Sequence, residues 1–113
     1  MITNKNPGWG QLATAELRSR RAALAAALPP PGTLLPGAVV EQHRSCGKEG
    51  CRCTRGEMHG PYAYLQVAGR LVYVPAALAE AVRARVQASR RLRGMLEEIS
   101  AINLELLVRR ELE

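Results

Sequence analysis

The chain has 113 residues, of which 47% are apolar but only 4% aromatic, with no Phe. That length suits one domain whose interior is built from Leu, Val, Ile and Ala rather than from rings. The formal charge of +6 makes nucleic acid or an acidic protein surface the partner to test. An Arg-rich protein with neither partner would show the same balance.

In chain order, Met1 to Gly8 reads as a loose tail, and Met1 to Pro7 lacks an apolar signal region. From Trp9 to Leu28 the apolar residues Trp9, Ala13, Leu17, Leu24 and Leu28 recur near one face, which predicts a helix over 9–28. Pro29-Pro30-Pro31-Gly32 must stop it, because Pro supplies no backbone donor and disfavours helix before it. Ala38 to Arg44 is expected as a short strand. Tyr62 to Val67 is a second, with Tyr62 and Tyr64 on one face and Ala63, Leu65 and Val67 on the other. Ala68-Gly69 then turns the chain into a third strand, Leu71 to Val74. Pro75 suits the first turn of a long helix running over 75–112, weakened only at Gly94. No run approaches the about 20 apolar residues a membrane span needs. A cytoplasmic protein is expected, in a single domain over 1–113.

Between the first two strands, Cys46 to His59 is rich in Gly and charge and has no apolar period. Its order must come from something other than a core. Cys46, Cys51, Cys53 and His59 supply three thiolates and an imidazole, a common set for a tetrahedral zinc ion. The nearby cations Arg44, Lys48, Arg52 and Arg55 favour the thiolate forms a metal requires. Other readings stay open. The cysteines could be free thiols, a strained Cys51–Cys53 redox pair, or ligands of an iron–sulfur cluster that lacks its usual fourth Cys. His43 competes with His59 for the fourth position. Three thiolates make a poor Lewis acid, and no second acid–base set is present, although Glu49 and Glu57 lie nearby. One structural ion in a protein that is not an enzyme is therefore expected.

The string Pro31-Gly32-Thr33, then Arg44, Cys46-Gly47-Lys48, Gly50-Cys51 and Cys53, then Gly56-Glu57 and His59-Gly60-Pro61-Tyr62 resembles a group of short bacterial and phage proteins known only as a domain of unknown function. The resemblance extends over about residues 28–110 and takes in the Val74-Pro75 junction and Asn103 to Leu107; Ala63 and His43 depart from the usual pattern. Such proteins often lie beside transposase and other mobile-element genes, so the resemblance implies a DNA-related accessory role.

Two basic blocks fit that implication: Arg44, Lys48, Arg52 and Arg55 around the loop, and Arg90, Arg91 and Arg93 on the last helix, with Arg83 and Arg85 before them. Either could be a solvated face. The three tyrosines could stack on bases or simply cover the small sheet. Leu92, Met95, Ile99, Ile102 and Leu106 repeat like the seam of a short coiled coil. The helix is basic before Met95 and mostly acidic after it, which predicts an antiparallel homodimer. Packing of the same stripe on the 9–28 helix is the alternative. The fold expected is α+β: an N-terminal helix, a small antiparallel sheet of about three strands interrupted by a zinc-binding loop, and a long C-terminal helix. The leading functional expectation is a zinc-stabilised nucleic-acid-binding accessory protein acting on DNA. A zinc-stapled adaptor that binds a protein partner through its last helix is second, and a zinc hydrolase or nuclease third.

Overall fold

A computed structural model describes residues 8–113. Residues 1–7, most of the expected tail, lie outside them. The architecture is α+β as expected, with an N-terminal helix α1 (Thr14–Ala26), an antiparallel sheet of order β1-β2-β3, and a long helix α2 (Ala79–Val108). The strands are β1 (Ala38–Arg44), β2 (His59–Val67) and β3 (Arg70–Val74). Contacts gather the chain into two compact units: residues through Pro31 together with Arg90–Glu113, and Gly32–Ser89.

In the first unit the expected 9–28 helix is broken. A 3-10 turn at Trp9–Gln11 is followed by extended backbone at Leu12 and Ala13 before α1 begins. Ala13 has no side chain with which to cap the helix, so only its carbonyl serves, accepting the Leu17 N–H. The break rotates the chain. Ala13 is exposed, and Leu12 packs toward the core instead.

That core joins Trp9, Leu17 and Leu24 to Ile102 and Leu106, with Met95 and Ile99 packed around them. Leu17, Ile102 and Leu106 are fully buried. Of the expected dimer seam (Leu92, Met95, Ile99, Ile102 and Leu106), Ile102 and Leu106 are instead buried against α1 of the same chain, with Met95 and Ile99 beside them, the alternative packing expected above. A second helix could not reach Ile102 or Leu106 without displacing α1. The electrostatics agree: Arg20 pairs with Glu98 at 3.1 Å and Arg21 with Glu113, so acids from the C-terminal stretch meet α1. Arg109 bonds the Glu105 carboxylate, the Thr14 hydroxyl and the Trp9 carbonyl.

Helix α2 is shorter than 75–112 at both ends. It opens after a 3-10 turn at Ala76–Leu78. It closes because Arg110 adopts a left-handed φ of 61°. Arg110 and Glu111 then donate to the Leu107 and Leu106 carbonyls at 2.9 and 2.8 Å. That is a Schellman cap without its usual glycine.

In the second unit, Val39, Ala63, Leu65, Val67 and Val74 lie on one face of the sheet and pack with Ala79, Val82 and Val86 of α2. The two-residue turn at Ala68-Gly69 has positive φ at both positions, the type I′ geometry that matches strand twist. β2 pairs with β1 from Gln66 opposite Ala38 to Tyr62 opposite Gln42, and then slips so that His59 faces Arg44.

Candidate metal centre

The slip is a β-bulge, and it sets the site. Three steps along β2, from Tyr62 to His59, span only two along β1, from Gln42 to Arg44. Gly60 makes this possible. Its φ is +122°, and a Cβ there would sit 2.8 Å from the Gln42 carbonyl oxygen. The sequence predicted β2 to begin at Tyr62. The structure carries the strand back to His59 and so ties the imidazole to the sheet.

The cysteines come from the intervening loop. Cys51 donates its N–H to the Lys48 carbonyl at 3.4 Å, closing a turn. A 3-10 turn at Arg52–Arg55 follows, ended by Gly56 with a φ of 96°. These turns fold the loop back, so the four donor atoms of Cys46, Cys51, Cys53 and His59 all lie within 4.8 Å of one another. Cys46 Sγ is 3.5 Å from Cys53 Sγ, and Cys51 Sγ is 3.2 Å from His59 Nε2. A tetrahedral zinc ion with its usual bond lengths sets such donors about 3.6–3.8 Å apart. Donors this close could hold one metal ion, and three thiols with an imidazole are a set that zinc takes. His43 is exposed and is not part of the group; His59 supplies its fourth donor atom.

The three cysteines form no disulfide with one another, and Cys53 is buried while Cys46 is exposed. Their environments differ accordingly. The Cys46 backbone N–H and then the Ser45 hydroxyl, 3.7 Å away, bring the Cys53 thiol down to about 6. At Cys46 the Lys48 backbone favours the thiolate, but the neighbouring Cys53 and Cys51 sulfurs, with desolvation, outweigh it and raise the thiol. With the loop ordered, Cys53 thus favours its thiolate, the form a metal ligand takes. Ser45 was not singled out from the sequence. A hydroxyl one residue from the first cysteine is its only signal.

Of the expected nucleic-acid contacts, Arg44, Lys48, Arg52 and Arg55 are all exposed in or beside the loop. Among the described residues, no carboxylate lies within ion-pair distance of any of them. Arg90, Arg91 and Arg93 are exposed on the part of α2 that belongs to the other unit. Arg83 is paired with Glu41 at 3.0 Å. Beside the cluster, an open pocket of roughly 310 Å³ is lined by Arg44, Ser45, Cys46 and His59 and by Tyr62, Tyr64 and Tyr73.

A family model described as a domain of unknown function, DUF6788, matches residues 14–84 and so takes in α1, the whole sheet and all four cluster residues. The chain belongs to the DUF6788 family. No curated protein and no solved structure matches it. Within this DUF6788 chain, the match ends in the early part of α2, before Arg90, Arg91 and Arg93. Among the described residues, no helix is long and apolar enough to cross a membrane.

Proposed function

We propose that this protein is a zinc-stabilised nucleic-acid-binding accessory or regulatory protein, of the kind that serves a mobile element. The observation that carries the reading is the unneutralised charge in and beside the loop: Arg44, Lys48, Arg52 and Arg55 stand exposed with no acidic partner among the described residues. In the first unit, by contrast, Arg18, Arg20, Arg21 and Arg109 each meet a carboxylate. Cations fixed on a metal-ordered loop and left unpaired suit phosphate oxygens, whose binding releases counterions and falls steeply with salt. In this reading the ion is structural: the protein fills all four positions, three with charge-donating thiolates, and the chain is not an enzyme. Arg90, Arg91 and Arg93 form a second basic patch.

The test is an electrophoretic shift on random-sequence duplex DNA at about 50 mM salt, with and without chelator. Changing Arg52 and Arg55 to Ala should weaken binding and reduce the salt slope by about 2. Failure to bind DNA, duplex or single-stranded, at that salt sinks the proposal. A second reading, an adaptor that docks a protein partner on α2, is favoured by the exposure of Leu96, Leu104, Leu107 and Val108. A pull-down insensitive to nuclease and salt would select it.

A further inference from the structure

The two faces of the sheet differ. One is covered by α2. The other, set by strict alternation along β2 and β3, carries Tyr62, Tyr64 and Tyr73. Tyr64 is buried and meets Tyr73 edge-on, with centroids 5.7 Å apart. Tyr73 itself is 54% exposed, so it presents a ring to solvent that a buried neighbour holds in place. The Arg44 guanidinium lies 4.9 Å from the Tyr64 ring centroid. Its neighbour is a ring rather than a carboxylate, which leaves the positive charge free for an anion. Ser45 adds a hydroxyl, and no acidic residue lines the pocket.

A rigid aromatic ring, a stacked guanidinium and an uncompensated charge suit a planar π-system bearing a negative group. The volume, roughly 310 Å³, is at the small end of ligand pockets, which run from about 300 to 1,000 Å³. It suits one nucleotide. A paired base inside a duplex cannot offer its face to Tyr73, whereas an unpaired one can. We infer that this pocket receives one unpaired nucleotide of a single-stranded nucleic acid, the base stacking on Tyr73 and the adjoining phosphate meeting Arg44. The assignment rests on the nucleic-acid reading above and narrows it from phosphate contact to strand state.

The experiment measures fluorescence anisotropy of the zinc-loaded protein with labelled oligo-deoxythymidine and with its duplex. The single strand should bind more tightly. Tyr73→Ala should weaken single-strand binding about tenfold, the size of one lost base stack, and leave the duplex nearly unchanged. Tyr73→Phe should behave like the parent. Tyr73→Trp provides a reading that does not depend on the Ala variant folding: its emission, above that of buried Trp9, should be quenched by the single strand. Equal binding of both forms, or no quenching at Trp in position 73, overturns the pocket assignment while leaving the proposed function intact. Absence of binding to either form overturns both.

Discussion

Removing the metal is the perturbation that most directly probes the site. Residues 45–58 connect β1 to β2, and among the described residues of that loop only Cys53 is buried. Its backbone is held by few bonds, from Cys51 to Lys48, Gly56 to Cys53 and Glu57 to Arg52, at 3.2 to 3.4 Å. Fixing fourteen residues costs about 14 kcal/mol at about 1 kcal/mol each, the low end of the backbone range. Apolar burial within the loop offsets almost none of it. Structural zinc contributes an apparent 10–16 kcal/mol in small fingers, which matches the deficit to within a few kcal/mol.

Chelation should therefore release the loop while the Leu17–Ile102–Leu106 core, which has its own apolar burial, stays folded. Hydrogen exchange of the zinc-loaded and chelated protein, read by mass spectrometry, separates the two regions. Amides from Cys46 to Glu57 should lose protection, and those of α1 and the C-terminal half of α2 should keep it. Equal protection of the loop in both samples would refute the reasoning, as would purified, never-chelated protein without stoichiometric metal.

Three further outcomes are expected. Ile102→Ala or Leu106→Ala should cost about 2–5 kcal/mol in urea unfolding, because both side chains are fully buried. Leu104→Ala, at a site 41% exposed, should cost under about 0.5 kcal/mol. A midpoint that rises with protein concentration would return the stripe to a dimer seam. Gly60→Ala must move the Gln42 carbonyl or abandon a φ of +122°. Strain of about 1–3 kcal/mol should misplace His59 and weaken zinc binding by roughly tenfold, measured by chelator competition. Metal-free, the released loop loses the Cys46 N–H and Ser45 hydroxyl that lower the Cys53 thiol, so zinc must displace its proton below the ordinary 9.0. Zinc affinity, measured by chelator competition, should rise with pH up to that value, and Cys53→Ser should flatten the rise.

Much of the site was legible in the residues. Three cysteines and a histidine in a loop with no apolar period left a metal as the natural organiser, and the donors do converge. Strand alternation correctly divided Tyr62 and Tyr64 from Ala63, Leu65 and Val67, because side-chain direction in a strand depends only on parity. β1 ran over 38–44 as expected. The choice between His43 and His59 was harder, since it turns on a bulge whose φ and register are fixed by two strands meeting.

Periodicity showed that Leu92, Met95, Ile99, Ile102 and Leu106 form an apolar stripe, but a stripe carries no record of its partner. Only the packing of α1 on Ile102 and Leu106 assigned it to the same chain. The break at Leu12 and Ala13 and the end of α2 at Arg110 escaped for a related reason. Neither has the Ser, Asp or Gly that usually signals a helix boundary; both close on local backbone bonds, and Arg109 ties the two ends together through the Thr14 hydroxyl and the Trp9 carbonyl. Local chemistry named the ligands and the faces of the strands. Contacts between segments distant in the chain decided what those faces meet.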